Sequence, residues 1–177
     1  AFYQYPRRRL DADICLISHH HHDHDGVECI NAGAEVIDRP GVHQPARGLR
    51  IVGVPTWHDG QGGTLRGPNI FYVLEAEGLR VGHAGDLGHV PDLPTQKRIG
   101  HLDVLMLPVG GYYTIDAAAA YATQQALRPT VTVPMHYRTP YDEEMPIAPV
   151  EAFLHLAGAK DEQLPILRFT SADIHLR

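Results

Sequence analysis

The chain has 177 residues, a formal net charge of −6 and two cysteines. This length suffices for one hydrophobic core, and we expect residues 1–177 to form a single domain. The acidic balance makes nucleic acid an unlikely partner, because the only basic cluster is the short Arg7-Arg8-Arg9. No apolar run approaches the roughly 18 residues of a membrane span, so we expect a cytoplasmic protein without membrane contact. Cys15 and Cys29 lie in apolar segments, which predicts buried free thiols rather than a disulfide framework.

Strand-like and helix-like segments alternate along the chain. We predict strands at 12–18, 35–38, 49–54, 70–76, 79–83, 103–107, 130–135 and 165–170, and helices at 25–32, 116–127 and 149–156. The fourth and fifth strands form a hairpin across Glu77-Gly78, and flexible turns occupy 59–63 and 67–69. Asp116 caps the second helix, and Pro129 follows its end. This alternation predicts a mixed, layered α/β domain.

A histidine-rich segment follows the first predicted strand. It has the pattern H-x-H-x-D-H, formed by His19, His21, Asp23 and His24. Neutral imidazole and carboxylate are good ligands for zinc, manganese or iron. Side chains of a strand alternate between its two faces, so one strand cannot direct all four towards one point. If the chain turns here, His19 and His21 can share one metal ion, and the other pair can reach a second.

Two simpler interpretations of this segment are a purification tag and a set of surface histidines. A tag lies at a terminus or in a polar linker and is excluded from fold reasoning. This run instead follows the apolar segment Ile14–Ile17 and is interrupted by Asp23 and Asp25. It then leads into a helix-like segment. A metal site is therefore the favoured interpretation.

Further ligand-type residues follow other predicted strands. His58 comes after the strand at 49–54, Asp86 after the strand at 79–83, and His136 directly after residue 135. A single histidine at a strand end is more often a structural residue. The recurrence of such residues at several strand ends indicates a metal site on a stiff scaffold.

In this order, the residues resemble a known family. The first motif, His58, Gly85-Asp86 and Pro134-Met135-His136 are similar to the metal motifs of the metallo-β-lactamase-fold hydrolases. Together with Leu107–Gly111 and Thr114–Ala117, they look most like the lactonase-like branch, which includes ascorbate 6-phosphate lactonase and uncharacterised metal-dependent hydrolases. The resemblance begins near residue 11 and implies a four-layer αββα sandwich. That fold has several strands before the first metal motif, so we expect the N-terminal strands to be missing here.

The resemblance also implies a role for each ligand-type residue. One divalent ion is bound by His19, His21 and His58. The second is bound by Asp23, His24 and His136. Asp86 bridges the two ions, for which zinc is favoured and manganese or iron are alternatives. Asp86 and Asp23 are the candidate catalytic residues, Asp86 by orienting a metal-bound hydroxide and Asp23 by accepting a proton.

Other residues are candidates for roles around the metals. His83 lies three positions before Asp86, where a supporting or substrate-facing role and a structural role have equal weight. Tyr113 lies in a loop that either lines the pocket or is a glycine-dependent turn. Arg138 and, less clearly, Arg66 are candidates for binding an anionic group of the substrate. His43, His101, His155 and His175 have no motif support, and we expect them to be ordinary surface or core residues.

The expected function is hydrolysis of a small-molecule ester, lactone or phosphate ester by hydroxide held between two metal ions. Two alternatives stay open. One is a phosphodiesterase or nuclease on the same fold. The other is a non-catalytic metal-binding protein or a redox diiron scaffold. The redox relatives replace the second motif histidine with glutamate and carry a flavin domain. In this chain that position is the histidine His21. The expected partner is a small-molecule substrate, and self-association into a homo-oligomer stays open.

Overall fold

The computed structural model describes residues 9–141, 143–159 and 170, which contain strands β1–β8 and helices α1–α3. The strands are β1 Ile14–Leu16, β2 Glu35–Ile37, β3 Gly41–Ala46, β4 Leu49–Trp57, β5 Pro68–Ala76, β6 Leu79–His83, β7 Val104–Pro108 and β8 Val131–Met135. The helices are α1 Leu93–Ile99, α2 Ala117–Leu127 and α3 Glu151–Ala157, and a 3₁₀ turn covers Val27–Cys29. Apart from residue 170, the predicted strand at 165–170 lies outside the described residues. His175, Arg7 and Arg8 also lie outside them.

Six strands form one mixed sheet in the order β3-β4-β5-β6-β7-β8, and β1 and β2 form a separate parallel pair. Neighbouring strands from β3 to β6 are antiparallel, whereas β6, β7 and β8 are parallel. Parallel neighbours need a crossover connection, and α1 and α2 provide the two that this sheet requires. The carboxyl ends of β6, β7 and β8 therefore lie at the same edge of the sheet.

The two faces of the large sheet bury different sets of apolar side chains. Phe71 and Val73 of β5 pack with the core that includes Ala120 of α2 and Phe153 of α3. The alternate residues of β5 pack on the opposite side, against the β1–β2 pair. Tyr72 fixes this second contact, since its buried hydroxyl lies 2.9 Å from the Ile17 carbonyl and 2.8 Å from the Ile37 carbonyl. The small sheet is thereby held in place just before the histidine-rich segment.

Most of the predicted elements are confirmed. The hairpin turns at Glu77-Gly78, where both residues have positive φ as a two-residue hairpin turn requires. Helix α2 begins after Asp116, whose carboxylate accepts a hydrogen bond from the Ala119 N–H at 2.9 Å. The helix ends at Arg128 in the left-handed conformation. The predicted mixed α/β class is therefore correct.

Several local predictions were wrong. The helix predicted at 25–32 is only a three-residue 3₁₀ turn, and the turn predicted at 67–69 instead contains the first residues of β5. Strand β3 was missed, because it is largely exposed and contains Pro45, as edge strands can. Helix α1 was missed because it has only seven residues. The two cysteines are half-buried rather than buried, and burial raises the pKa of Cys15.

No helix in the described ranges is both long and apolar enough to cross a membrane.

Candidate metal centre

Strand ends from both sheets meet at one edge of the molecule. The residues carried there are Ser18 and His19 after β1, His58 after β4, Asn69 in β5, Asp86 after β6 and His136 after β8. A backbone hydrogen bond of 2.8 Å from Ile70 N–H to the Ser18 carbonyl joins the small sheet to the large one. Gly110 N–H donates to the His136 carbonyl at 3.1 Å, and a Cβ at Gly110 would overlap that oxygen. The ligand-type residues thus rest on a tightly packed backbone.

Asp86 lies at the centre of this edge and is only 4% exposed. Its Oδ2 atom is 3.3 Å from His58 Nε2 and 3.4 Å from His136 Nε2. The same oxygen is 3.6 Å from His24 Nε2 and 3.9 Å from His19 Nε2. One carboxylate oxygen is therefore surrounded by imidazole nitrogens from three different parts of the chain. Two ligands of one tetrahedral zinc ion lie about 3.3–3.6 Å apart, which is close to these separations.

Two groups of three donor atoms are close enough to hold an ion. The donor atoms of His19, His21 and His58 all lie within 4.8 Å of one another. Those of His19, His24 and Asp86 satisfy the same limit. The first group coincides with the set predicted for one ion. The second shares two members with the expected environment of the other ion but contains His19.

The other two predicted ligands lie at the edges of this cluster. His136 faces Asp86, and its ring is stacked 6.5 Å from the ring of His24. Its backbone φ of 51° is unusual for a residue with a side chain, and such strain concentrates at functional sites. Asp23 Oδ2 lies 3.8 Å from His24 Nε2 on the solvent side. The structure therefore brings all seven predicted ligand residues into one neighbourhood.

Buried histidine nitrogens without a hydrogen-bond partner indicate that the cluster can bind a cation. Among the described residues, His19 Nε2, His58 Nδ1 and His136 Nδ1 are buried without a hydrogen-bond partner. Burial, followed by the charge of His24, lowers the pKa of His19 to about 4, so its imidazole is neutral near pH 7. Ser18 Oγ lies 3.0 Å from His19 Nδ1, and when Nδ1 donates its proton to that oxygen, the Nε2 lone pair faces Asp86 Oδ2 at 3.9 Å. A lone pair facing a carboxylate is unfavourable unless a cation lies between them, so these residues fit a divalent ion.

Electrostatics keep the central carboxylate ionised. Burial alone would raise the pKa of Asp86, but hydrogen bonds from His136 and His58 and the positive charges of His136 and His24 hold that pKa well below its usual range. Burial alone would lower the pKa of His136, whereas its hydrogen bond to Asp86 raises it above the usual value. Asp86 is therefore a permanent negative charge within this cluster.

Asn69 positions Asp86, and this role was not found from the sequence. Its Oδ1 accepts a hydrogen bond from the Asp86 N–H at 2.9 Å, and its Nδ2 donates to Thr56 Oγ1 at 2.8 Å and to the Ala84 carbonyl at 2.9 Å. The amide thereby ties the ends of β4, β5 and β6 together. Gly85 makes this contact possible, because its φ is +56° and a Cβ there would collide with Asn69 Oδ1.

Asp59 organises the loop that follows His58. Its buried carboxylate accepts four backbone hydrogen bonds of 2.8–3.0 Å, from the N–H groups of Gln61, Gly63, Leu65 and Arg66. Burial alone would raise the pKa of Asp59, but these bonds outweigh it and lower that pKa to about 2. The segment predicted to be a flexible turn is therefore an anchored loop. An Asp at the start of a glycine-rich segment was the available signal, since such residues bond the backbone ahead of them.

The remaining candidates lie at different distances from the centre. His83 Nδ1 accepts a hydrogen bond from Gly85 N–H at 3.1 Å, so this side chain supports the turn before Asp86. Burial lowers the pKa of His83. The ring of Tyr113 lies 6.5 Å from the ring of His136. Arg138 has an exposed side chain. Trp57, beside His58, is 45% exposed.

Comparison with known proteins gives a consistent family. Residues 1–136 match the model of the beta-lactamase superfamily domain. A UPF0173 metal-dependent hydrolase of Thermococcus onnurineus is 34% identical over an alignment that covers 86% of this chain and 78% of that protein. A UPF0173 metal-dependent hydrolase of Methanopyrus kandleri is 33% identical, with 73% of this chain and 68% of that protein covered.

Solved structures agree with this result. The chain is similar to a protein of Thermotoga maritima, provisionally named a Zn-dependent hydrolase of the metallo-β-lactamase superfamily, with 40% identity, a TM-score of 0.70 and coverage of 82% of this chain and 69% of that one. Igni18, a metallo hydrolase from Ignicoccus hospitalis, is 25% identical with a TM-score of 0.60, covering 82% and 72%. The chain therefore belongs to the metal-dependent hydrolases of the metallo-β-lactamase superfamily.

Proposed function

We propose that this protein is a dinuclear metal-dependent hydrolase that cleaves a small-molecule ester, lactone or phosphate ester, with zinc as the first choice of metal. The observation that carries the proposal is the environment of Asp86. One oxygen of a buried, ionised carboxylate lies 3.3–3.9 Å from four imidazole nitrogens, as expected of a carboxylate shared between two ions. A lactone substrate is favoured within this class by the resemblance to the lactonase-like branch.

The proposed ligands divide between the two ions. His19, His21 and His58 hold one ion, which agrees with the mutual proximity of their donor atoms. The second ion is held by His24, His136 and Asp23. Asp86 contributes to both. The position of His24 supports this division, since its Nε2 lies 3.6 Å from Asp86 Oδ2 and 3.8 Å from Asp23 Oδ2.

The metals and the protein have separate tasks. Two divalent ions lower the pKa of a water molecule towards neutrality and polarise the substrate oxygen when they are bound. Asp86 supplies the fixed negative charge that holds the site together. Ser18 orients His19 through its 3.0 Å contact with Nδ1, so that Nε2 points inward. Asp23, on the solvent side, is placed to accept a proton and pass it to water. No serine or cysteine nucleophile is required for this chemistry.

A small substrate is preferred over a nucleic acid for electrostatic reasons. The chain carries a net charge of −6. Proteins that bind nucleic acids usually present clustered basic residues, and their affinity depends steeply on salt. The longest basic run of this sequence is Arg7-Arg8-Arg9, which is short for a protein that binds nucleic acid.

The first experiment is the metal content of the untagged protein, measured by elemental mass spectrometry. We expect about two ions of zinc, manganese or iron per chain, as for a two-metal site. The content should fall in the His21→Ala and Asp86→Ala variants and stay unchanged in His155→Ala, which removes an exposed imidazole of α3. A protein that takes up no metal on reconstitution would contradict the proposal.

The second experiment is a hydrolysis screen of the metal-loaded protein with lactones, carboxylic esters and phosphate esters. Turnover that disappears in Asp86→Ala supports the proposed function. Salt-dependent cleavage of RNA without turnover of any small ester would favour the nuclease alternative instead. Full metal loading without hydrolysis of any of these compounds would favour a non-catalytic metal-binding protein.

A further inference from the structure

Arg66 contacts an aromatic residue that lies near the candidate metal centre. Its Nη2 donates a hydrogen bond to the Tyr112 carbonyl at 3.0 Å, and its guanidinium carbon lies 5.9 Å from the centre of the Tyr113 ring. That ring lies 6.5 Å from the ring of His136. Arg66 and Tyr113 are both half-buried. A positive charge is thus placed at the rim of the proposed active site.

This position is determined by the loop that leaves His58. Asp59 binds the Arg66 N–H at 2.8 Å and three more N–H groups of the same loop. The backbone at Arg66 is therefore fixed relative to the proposed ligand His58, only eight positions earlier in the chain. A side chain on a backbone held in this way loses less conformational entropy when it binds a ligand.

The charge of Arg66 is not neutralised within the described part of the chain. None of the carboxylates described there lies within 4.0 Å of its guanidinium, whereas Arg50 and Arg80 both pair with Glu75. A guanidinium has five N–H donors in a planar arrangement that matches carboxylate and phosphate oxygens. One of them is used by the Tyr112 carbonyl. The others have no hydrogen-bond partner among the described residues.

We propose that Arg66 binds an anionic group of the substrate, a carboxylate or a phosphate, and that it determines specificity for negatively charged substrates. The reacting bond lies at the metals, and the anionic group lies about one ring width away, beside Tyr113. The effect on turnover rests on the proposed hydrolase function, but the binding of an anion by Arg66 does not.

A purely structural role of Arg66 makes a different prediction. In that case the guanidinium only fastens the loop to the Tyr112 carbonyl, and its loss would affect neutral and anionic ligands equally. A charge-selective effect is therefore the property to measure. Arg98, exposed on α1, provides a matched control for the removal of one positive charge.

The binding test uses metal-free protein at pH 8 and isothermal titration with inorganic phosphate and, separately, with acetate. We expect the wild type to bind at least one of these anions, and Arg66→Gln to weaken that binding roughly tenfold or more, since hydrogen bonds to charged groups are worth about 1.5–3 kcal/mol. Arg66→Lys should retain part of the affinity, and Arg98→Gln all of it. The preferred anion identifies the group that is recognised. Equal affinity in Arg66→Gln, or no binding by the wild type, would overturn the proposal.

The kinetic test compares 4-nitrophenyl acetate with mono-4-nitrophenyl succinate, which adds a carboxylate. In the metal-loaded enzyme, Arg66→Gln should raise KM for the succinate ester about tenfold while leaving the acetate ester unchanged. Equal losses for both esters would overturn the specificity role. If the wild type hydrolyses neither ester, the proposed function fails for this substrate class, and the titrations still decide whether Arg66 binds anions.

Discussion

Strands β4, β5 and β6 carry a charged cluster at each end, and the two clusters differ in how well their polar groups are satisfied. At one end, Glu75 of β5 lies between Arg50 and Arg80; its Oε2 accepts from Arg50 Nη1 at 2.6 Å, and its Oε1 accepts from Arg80 Nη1. Arg80 also donates to the carbonyls of His101 and Ile99, at 2.8 and 2.7 Å. Charges that are paired in this way stabilise the fold and have little capacity left for a ligand.

At the other end, Asp86 lies among imidazoles, and three buried nitrogens have no hydrogen-bond partner within the described ranges: His19 Nε2, His58 Nδ1 and His136 Nδ1. Burial at that end is deeper, with Asp86 only 4% exposed. A cavity of about 800 Å³ nevertheless lies at the Glu75 end. The candidate metal centre is therefore identified by its unsatisfied polar atoms and not by a cavity. The arrangement of charge distinguishes a structural cluster from a candidate catalytic one.

Removal of the central carboxylate should have the largest effect. Asp86→Asn keeps the size of the side chain but removes the negative charge that the two proposed ions would share. We expect loss of at least one ion per chain and a fall in kcat/KM of about a thousandfold or more, because the charge that orders the metals is lost. Elemental analysis and steady-state kinetics on the same preparation measure both.

The matched control at the opposite end of the strands is Glu75→Gln. It removes a half-buried carboxylate from a cluster whose charges are paired, so metal content and kcat/KM should stay at the wild-type level. An Asp86→Asn variant that retained both ions would show that Asp86 is not a bridging ligand.

Asn69→Ala should have the next largest effect, through the position of Asp86. Supporting residues of this kind typically change metal affinity by 10–100-fold. The variant also leaves the Asp86 N–H without its partner, which should cost about 1–3 kcal/mol in the free energy of unfolding. Competition with a chelator measures the affinity, and urea denaturation measures the stability.

Asn31→Ala is the control for this experiment. Asn31 Oδ1 also accepts a backbone hydrogen bond, from Ala12 N–H at 2.7 Å, but at a distance from the metal centre. The Asn31→Ala variant should have a lower free energy of unfolding without weaker metal binding. If Asn69→Ala weakened metal binding no more than Asn31→Ala does, the positioning role would be excluded.

Because of the Glu75 cluster, the free energy of unfolding should depend on pH in the acidic range. Burial alone would raise the pKa of Glu75, but the hydrogen bond from Arg50 and the charges of Arg80 and Arg50 lower it below its ordinary value of 4.5. The unfolded chain therefore takes up this proton at a higher pH than the folded chain. The stabilisation is complete above pH 4.5 and is lost as the pH falls through the lowered folded-state pKa.

Urea denaturation of the wild type and Glu75→Gln tests this pH dependence. Near neutral pH we expect the variant to be less stable by about 1 kcal/mol, since the pair is partly exposed. The difference should shrink as the pH falls below 4.5. Glu151→Gln, in the exposed first turn of α3, controls for the general effect of losing a carboxylate. A difference that is constant with pH would exclude the ion pairs as its cause.

Several ligand-type residues were predicted to lie together because they follow strands with a recognisable apolar pattern. His19, His58 and His136 show this, and their assignment to separate ions came from the family resemblance. Asn69 was not predictable in the same way. Its partners Thr56 and Asp86 are 13 and 17 positions away, and only the pairing of three strands brings them together.

The loop after His58 shows a second limit of the sequence. Its glycines indicated flexibility, but the direction of their N–H groups towards Asp59 depends on backbone conformation. Likewise, the contact between Arg66 and Tyr112 spans 46 positions. Edge strand β3 carries no buried face that would produce an alternating pattern. Tertiary contacts and exposed elements are therefore the parts that local patterns do not determine.

Arg138→Gln should have the smallest effect, and it sharpens the proposal for Arg66. Both arginines are candidates for binding an anionic substrate, but Arg138 has an exposed side chain, whereas Arg66 is half-buried beside Tyr113. The backbone of Arg138 donates to the Ala148 carbonyl at 3.0 Å, a bond that any non-proline residue retains. We expect kcat/KM for the succinate ester to change by less than about twofold, as is usual for an exposed surface charge. A loss comparable with that of Arg66→Gln would place the anionic group on the His136 side of the site. Comparison of kcat/KM between the two variants therefore shows on which side of the site the anionic group of the substrate binds.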